Sequence, residues 1–435
     1  MSIAIVSASV PVRSKLGVAY FRRAHVGALE PAGVMLVSTR PPRSCPVKVD
    51  LLYEIDSPPP WEGTHPYGQR AREQRAYRDA LEQVKLADEL GFNIAWFVEH
   101  HFREGQSHCP APEVVIGALT QTTGNIRLGF GVTLLPFGFT HPARVAEKVA
   151  TADVLSAGRV EWGTGRSTPQ EQTAFHVDRS ASRDEWEEAI RIIAAMWREE
   201  YFEWDSPRLQ FPRRMVTPKP VQDPHPPCWM AATSPDSSAI AGRHQLGLLS
   251  LSIMRPLEKM AEQIAAYRDA WNSPDAKPLS DVANNRVGAY TLVHCAESLE
   301  QAEANGIWEA VTWWYRTVAE FTLQWEFPNI TQEERDAQFP LLQRTLEGEI
   351  PVEAFHDADM FVVGDPEQCF EKMKRYADLG VDQMVCRVEY GHLSHESIMK
   401  NIELLGKEVL PELEKYVPPS SRRGALDSRS DSLAS

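Results

Sequence analysis

Between Lys48 and Leu413 a short, strand-like apolar run gives way to helix-like material eight times, and no other feature of the chain narrows its fold as much. "KVDLLYEI" (48–55) opens the series. Further strand-like runs fall at 92–98, 126–135, "RVEWGTG" (159–165), "PPCWMAAT" (226–233), "LGLLSLSI" (246–253), "RVGAYTLVHC" (286–295) and "DQMVCRV" (382–388). The segments between them carry apolar side chains at three- and four-residue steps. Tyr77, Ala80, Leu81, Val84, Ala87 and Leu90 share one helical stripe, and so do Trp186, Ile190, Ile193 and Trp197. Gly91 stands where the first helix should end. Strict alternation calls for parallel strands, and eight repeats favour an α/β fold of the closed (β/α)8 TIM-barrel type over an open doubly wound sheet. Residues 305–360, after the seventh strand, exceed what one crossover helix needs and read as an insertion over the barrel mouth.

The 435 residues can bury a large core, and a net charge of −15 argues against a nucleic-acid or anionic-membrane surface. No run of about 18 apolar residues is present, so no membrane span is expected. The six cysteines lie far apart without a C-x-x-C pair, which reads as reduced thiols in a cytoplasmic protein. Both ends differ from the middle. Residues 1–47 hold Arg13, Lys15, Arg22, Arg23, Arg40 and Arg43 against the single acid Glu30. That composition is compatible with an organelle-targeting segment, a disordered extension, or translated sequence upstream of a later start such as Met35. The expected division is therefore an extension over 1–47, a barrel over 48–417 and a disordered polar tail over 418–435.

In a (β/α)8 barrel the active site forms at the carboxyl ends of the strands. The second strand ends in "EHHF": Glu99, His100, His101 and Phe102. Titratable groups at the end of a buried strand are costly unless they face a cleft, a ligand or one another. Alternation along a strand would put Trp96, Val98 and His100 on one side and Phe97, Glu99 and His101 on the other, so one histidine would face the mouth while the other braces it. With His108 these residues also offer metal-ligand types, but neighbouring strand positions diverge, and no metal is expected.

"GFNIAWFVEHHF", "IRLGFGVTLLPFGFTHPARVAE", "SAGRVEWGTGR", "KPVQDPHPPCWMAATSPDS" and "VVGDPEQCFEKMKRYADLGVDQMVC" occur in the order seen in bacterial luciferase-like flavin monooxygenases. The resemblance runs from about Lys48 to Tyr416. It implies a luciferase-like barrel that uses reduced FMN, supplied by a separate NAD(P)H:flavin reductase, together with O2. The flavin hydroperoxide so formed oxidises a small organic substrate such as an aldehyde or ketone. A built-in nicotinamide site is not expected, because "GTGRST" (163–168) has only the first two glycines of G-x-G-x-x-G.

The resemblance also implies roles for single residues. His100 matches the histidine acting at flavin and substrate, where a group titrating near neutrality can exchange a proton. His101 and Glu99 are weaker catalytic candidates. Gly131 and Val132 match the strand under the isoalloxazine, where the family carries a non-proline cis peptide. Gly165 and Arg166 follow the fourth strand, and Arg166 matches a phosphate-binding arginine; the ordinary alternative is a salt bridge to an acid such as Glu171. A luciferase-type cysteine would fall at Gly165, so light emission is not expected. Thr233, Ser234 and Ser237 match the turn that holds the flavin phosphate, at a helix start suited to anions. Some relatives have glutamate at the position of Thr233, and Asp236 would sit near the phosphate unless it points to solvent. Trp308, Trp313, Trp314 and Tyr315 either line a substrate pocket or pack helix against barrel.

The small-residue helix near Ala143 to Ala152 allows the dimer that the family forms through its second and third helices, with an identical or a sister subunit. Other readings stand beside the monooxygenase: a deazaflavin (F420)-dependent oxidoreductase, a flavin-binding protein without turnover, and a metal-dependent hydrolase on the same barrel.

Overall fold

The computed structural model describes residues 46–60, 67–251, 256–325 and 347–419, with Thr331, Glu333 and Arg344 besides. The expected extension lies outside these residues up to position 45, as does the tail from position 420. Eight parallel strands close on themselves: β1 Lys48–Tyr53, β2 Ile94–Phe97, β3 Arg127–Leu134, β4 Val160–Gly165, β5 Cys228–Ala232, β6 Gly247–Leu251, β7 Val287–Cys295 and β8 Gln383–Arg387. Each pairs in parallel with the next, and β8 returns to β1 through Lys48 opposite Gln383. Sheet closure leaves the barrel itself no free edge. Every strand foreseen from the alternation is present.

The strands are apolar nearly throughout because helices cover their outer face while their inner side chains fill the barrel. Fully buried Trp96 and Trp229 meet edge to face inside it, with ring centroids 5.6 Å apart. Each indole finds an acid. Trp96 Nε1 donates to Asp50 at 2.9 Å and Trp229 Nε1 to Glu161 at 2.6 Å, which satisfies the polar ends of two large apolar groups.

Several elements depart from simple alternation. A helix Pro169–Ala174 precedes the expected helix Ser182–Arg198, and an antiparallel hairpin, Phe202–Asp205 with Gln210–Arg214, follows it. A short strand, Val362–Gly364, pairs outside the barrel with the end of β7. The last helix is broken: His395–Leu404 passes into a π turn, Leu405–Val409, before Leu410–Lys415. Pro411 lacks the N–H that would continue the α pattern there.

The insertion after β7 begins with the helices Leu299–Ala304 and Ile307–Trp325. Ile307–Trp325 lies at the carboxyl end of the barrel: its Phe321 ring centroid is 4.5 Å from the Arg103 guanidinium, beyond β2, and its Trp314 ring is 5.8 Å from Arg387, at the end of β8. No helix among the described residues is long and apolar enough to cross a membrane.

Candidate active site

A cavity of about 470 Å³ opens at the carboxyl ends of the strands. Its inner part is apolar, made by Leu52, Trp96, Leu134, Met230, Leu249 and Val385. One wall is backbone. A Cβ placed on Gly163 would stand 2.1 Å from the carbonyl oxygen of Phe130, and one on Gly165 would stand 2.6 Å from a methyl of Val132. Strands β3 and β4 therefore approach too closely for side chains, leaving a flat face beside Gly131 and Val132. The Gly131–Val132 peptide is cis. Three non-glycine residues with left-handed backbone follow the strand ends around this cavity: Ile55 (φ 60) after β1, Phe102 (φ 59) after β2 and Ser167 (φ 68) after β4. Such conformations persist only where surrounding contacts impose them, and they gather at functional sites.

His100 lines the cavity, and Glu99 lines it too. Strict alternation would have separated them. The regular pairing of β2 ends at Phe97, however, so the two-residue period no longer governs the side chains beyond it. Glu99 faces Lys148, whose Nζ lies 3.5 Å away. His101 does not line this cavity, and its ring makes a T-shaped contact with Phe175 at a centroid distance of 4.9 Å. Its backbone N–H donates to Glu171 Oε1 at 2.7 Å.

Glu171 is the hub of this corner. Its Oε1 lies 3.0 Å from His100 Nδ1, while Oε2 accepts from Thr168 Oγ1 at 2.8 Å and from the Ser167 hydroxyl. The side chain is fully buried, which alone would raise its pKa. The charge and hydrogen bond of His100, aided by Arg103 and Ser167, more than offset burial and hold the carboxyl well below the usual carboxylate range. A carboxylate fixed on Nδ1 sets the ring's orientation and leaves Nε2, which has no hydrogen bond among the described residues, to exchange a proton with a ligand.

Arginines also gather in the wall of this cavity. Arg166, Arg179 and Arg183 line it together with Thr233 and Ser237, and none of the three has an ion-pair partner among the described residues. Arg166 donates to Ser182 Oγ at 3.2 Å rather than to Glu171. Burial and the neighbouring Arg166 charge push Arg183 down to about 10, and its Nη1 is buried without a hydrogen-bond partner. Burial, then Arg179, lowers Arg166 as well. Glu187 opposes the Arg183 shift only in part, and cationic groups crowded together without an ion-pair partner are expensive unless an anion joins them.

Ser234 caps the helix Pro235–Arg243, accepting from Ser237 N at 3.3 Å, and it does not line the cavity. The Ser237 hydroxyl accepts from Thr233 N at 3.2 Å and from Ser234 N at 3.1 Å. Asp236 is exposed to solvent.

The aromatic group on the insertion packs on its neighbours and does not line this cavity. Trp308 meets His356 at 5.6 Å and Tyr315 meets Phe355 at 5.9 Å between ring centroids. Among the described residues no three histidine, cysteine or acidic side chains are grouped to hold a metal ion.

Sequence reasoning passed over Arg179, Arg183 and the partnership of Glu171 with His100. The signal for Glu171 was present in "STPQE" (167–171), where Thr168 and Glu171 form a capping box that starts a short helix. It also passed over a buried network on the cavity floor. Arg387, fully buried, donates to Glu54 Oε1 and to Asp56 Oδ2, each at 2.7 Å, and the Tyr290 hydroxyl donates to Glu54 Oε1 at 3.0 Å. Glu54 and Tyr290 both line the cavity.

The model of one family, luciferase-like monooxygenase, matches residues 61–383. The oxygenase component of flavin-dependent trigonelline monooxygenase from Acinetobacter baylyi is 25% identical over 351 residues, which cover 78% of this chain and 90% of that protein. The F420-dependent glucose-6-phosphate dehydrogenase of Microbacterium testaceum is 25% identical over 350 residues, 79% of this chain and 95% of that protein. Among solved structures, monooxygenase RslO1 from Streptomyces bottropensis matches with a TM-score of 0.67 at 25% identity, over 84% of this chain and 99% of that one.

Proposed function

The chain belongs to the luciferase-like monooxygenase family and is an oxidoreductase of that class, and on this premise we propose that it uses reduced FMN and O2 to oxidise a small organic substrate such as an aldehyde or ketone. One observation carries the reading: a single cavity joins Arg166, Arg179 and Arg183, none of them in an ion pair among the described residues, to a histidine oriented by a buried carboxylate. Those residues fit a flavin mononucleotide. The arginines, with Thr233 and Ser237, would hold its phosphate; Ser234 acts through the helix cap. Gly131, Val132 and Gly165 would present backbone and one aliphatic side chain to a flat ring.

Reduced flavin, when bound, would supply two of the electrons that reduce dioxygen, the substrate giving the other two as it gains one oxygen atom and the second oxygen leaves as water. The protein's own part is positioning and proton movement. His100 Nε2 holds or releases a proton at the reacting group, Glu171 keeps the ring turned to do so, and Glu99 with His101 frames the same corner. The inner apolar walls keep water from the reaction. A separate NAD(P)H:flavin reductase provides the reduced cofactor, in keeping with the relative described as an oxygenase component. Two chains pair through the helices Pro112–Leu119 and Pro142–Leu155, where Val114, Val154 and Leu155 are exposed apolar groups. The buried free cysteines fit a cytoplasmic location.

Loading the protein with reduced FMN and mixing it with oxygenated buffer tests this. Flavin reoxidation followed by absorbance should depart from that of free flavin and change in His100→Ala. A time course matching free flavin in every respect would refute oxygen activation. The F420-dependent relative favours a second reading, hydride transfer with a deazaflavin. Tighter binding of F420 than of FMN, with substrate-dependent F420 reduction in oxygen-free buffer, would select it.

A further inference from the structure

A second cavity, of about 710 Å³, is also lined by His100. His100 lines both spaces, so a molecule seated in the second would lie against the residue that also bounds the first. We propose that this second cavity seats the oxidisable substrate, that the substrate is a small organic acid with an apolar body, and that Arg103 anchors its carboxylate. The proposal rests on the role given above to His100.

Arg103 lines the second cavity and is absent from the lining of the first. Its Nε is buried without a hydrogen-bond partner. Its guanidinium stacks on Phe321 at 4.5 Å and has no ion-pair partner among the described residues. Its charge helps to hold Glu54 and Glu171 low, yet both acids are engaged elsewhere, Glu54 with Arg387 and Glu171 with His100. A half-buried guanidinium fixed by a ring face but lacking an acid presents a planar fork of donors, the geometry that takes a carboxylate in a bidentate way.

The acids in the cavity wall do not compete for it. Glu73 is occupied by His108 Nδ1 at 2.9 Å, and Glu104 is exposed. An apolar surface lies close to the cation. Phe102 is 62% exposed although its backbone is left-handed, and its ring centroid lies 5.5 Å from that of Phe175. An exposed phenylalanine in the same cavity wall as a cation suits an organic acid whose body covers the ring. A flavin phosphate is a poorer match, because three other arginines already gather in the first cavity.

The test is calorimetric titration of the full-length, FMN-saturated protein with benzoate, phenylacetate and octanoate, each against its methyl ester. At least one acid should bind about tenfold or more tightly than its ester, the scale of a charge-assisted hydrogen bond. Arg103→Met should erase that preference, and Arg103→Lys, which keeps the charge, should retain part of it with an unchanged melting temperature. FMN affinity should stay within about twofold in both. Three outcomes overturn the proposal: no acid preferred over its ester, a preference that survives Arg103→Met, or an equal loss of FMN affinity. Failure of the flavin reading is distinct, since FMN would then not bind the wild-type chain while the acids could still be titrated on the FMN-free protein.

Discussion

Glu171 stands behind His100, with its Oε1 3.0 Å from the imidazole Nδ1, and the same oxygen accepts the backbone N–H of His101 at 2.7 Å. One buried carboxylate thus fixes both histidines of the E-H-H-F turn, one by its ring and the other by its main chain. The short helix Pro169–Ala174, which carries that carboxylate, is itself started by it.

Glu171→Gln should therefore cost both stability and turnover. The fold holds this carboxyl below its unfolded value of about 4.3, so its stabilisation is present above that pH and is lost as pH falls further, toward the depressed folded value. The variant should lose about 1–3 kcal/mol at pH 7 and show a flatter decline of stability below pH of about 4.3. Urea midpoints at several pH values measure both; parallel declines in the two proteins would remove the claim.

Arg183→Met should weaken FMN by about tenfold to a hundredfold and leave riboflavin, which lacks the phosphate, nearly unaffected. Quenching of flavin fluorescence on titration reads both constants. An equal loss for the two ligands would mean that Arg183 supports the pocket's shape rather than an anion.

Arg387→Met should destabilise the fold by about 3–5 kcal/mol, because it leaves Glu54 and Asp56 buried without their cation. Adding Glu54→Gln to that variant should restore part of the loss, since the two residues share one network. Chemical unfolding midpoints for the four proteins complete the cycle, and strict additivity would show that the pair is uncoupled.

Leu155→Glu, on an exposed turn of the helix Pro142–Leu155, should shift the protein toward monomer in sedimentation velocity while leaving its circular dichroism unchanged. An unaltered sedimentation coefficient would place the contact surface elsewhere.

The barrel was legible because its signals are local. Each strand is a short apolar run, and each helix declares itself through periodic residues such as Trp186, Ile190, Ile193 and Trp197. The E-H-H-F motif was legible by its position at a strand end, but the facing of Glu99 was not. The two-residue period holds only where hydrogen bonds to neighbouring strands enforce it, and β2 stops at Phe97. Arg179 and Arg183 were opaque for another reason. They sit in "DRSASRDEWEE" (178–188), a mixed-charge stretch that reads as the solvated start of a helix. Only the segment between β4 and that helix, with its short helix Pro169–Ala174, brings them to the cavity that Arg166 lines. Glu54 and Arg387 lie 333 positions apart, and their pairing follows from closure of β8 onto β1.

The close approach of β3 and β4 at Gly163 and Gly165 divides the cavity into two mutational regimes. Where a single added methyl would strike a neighbouring carbonyl or the methyl of Val132, no side chain can be introduced to reshape the wall. Reshaping of this cavity must therefore come from the turns after the strands, such as Ser167, Thr168 and Thr233, while the glycine face stays constant. A randomised library aimed at those turns would vary the cavity with the glycine wall left intact. The same library aimed at the glycines would mostly sample failures of folding.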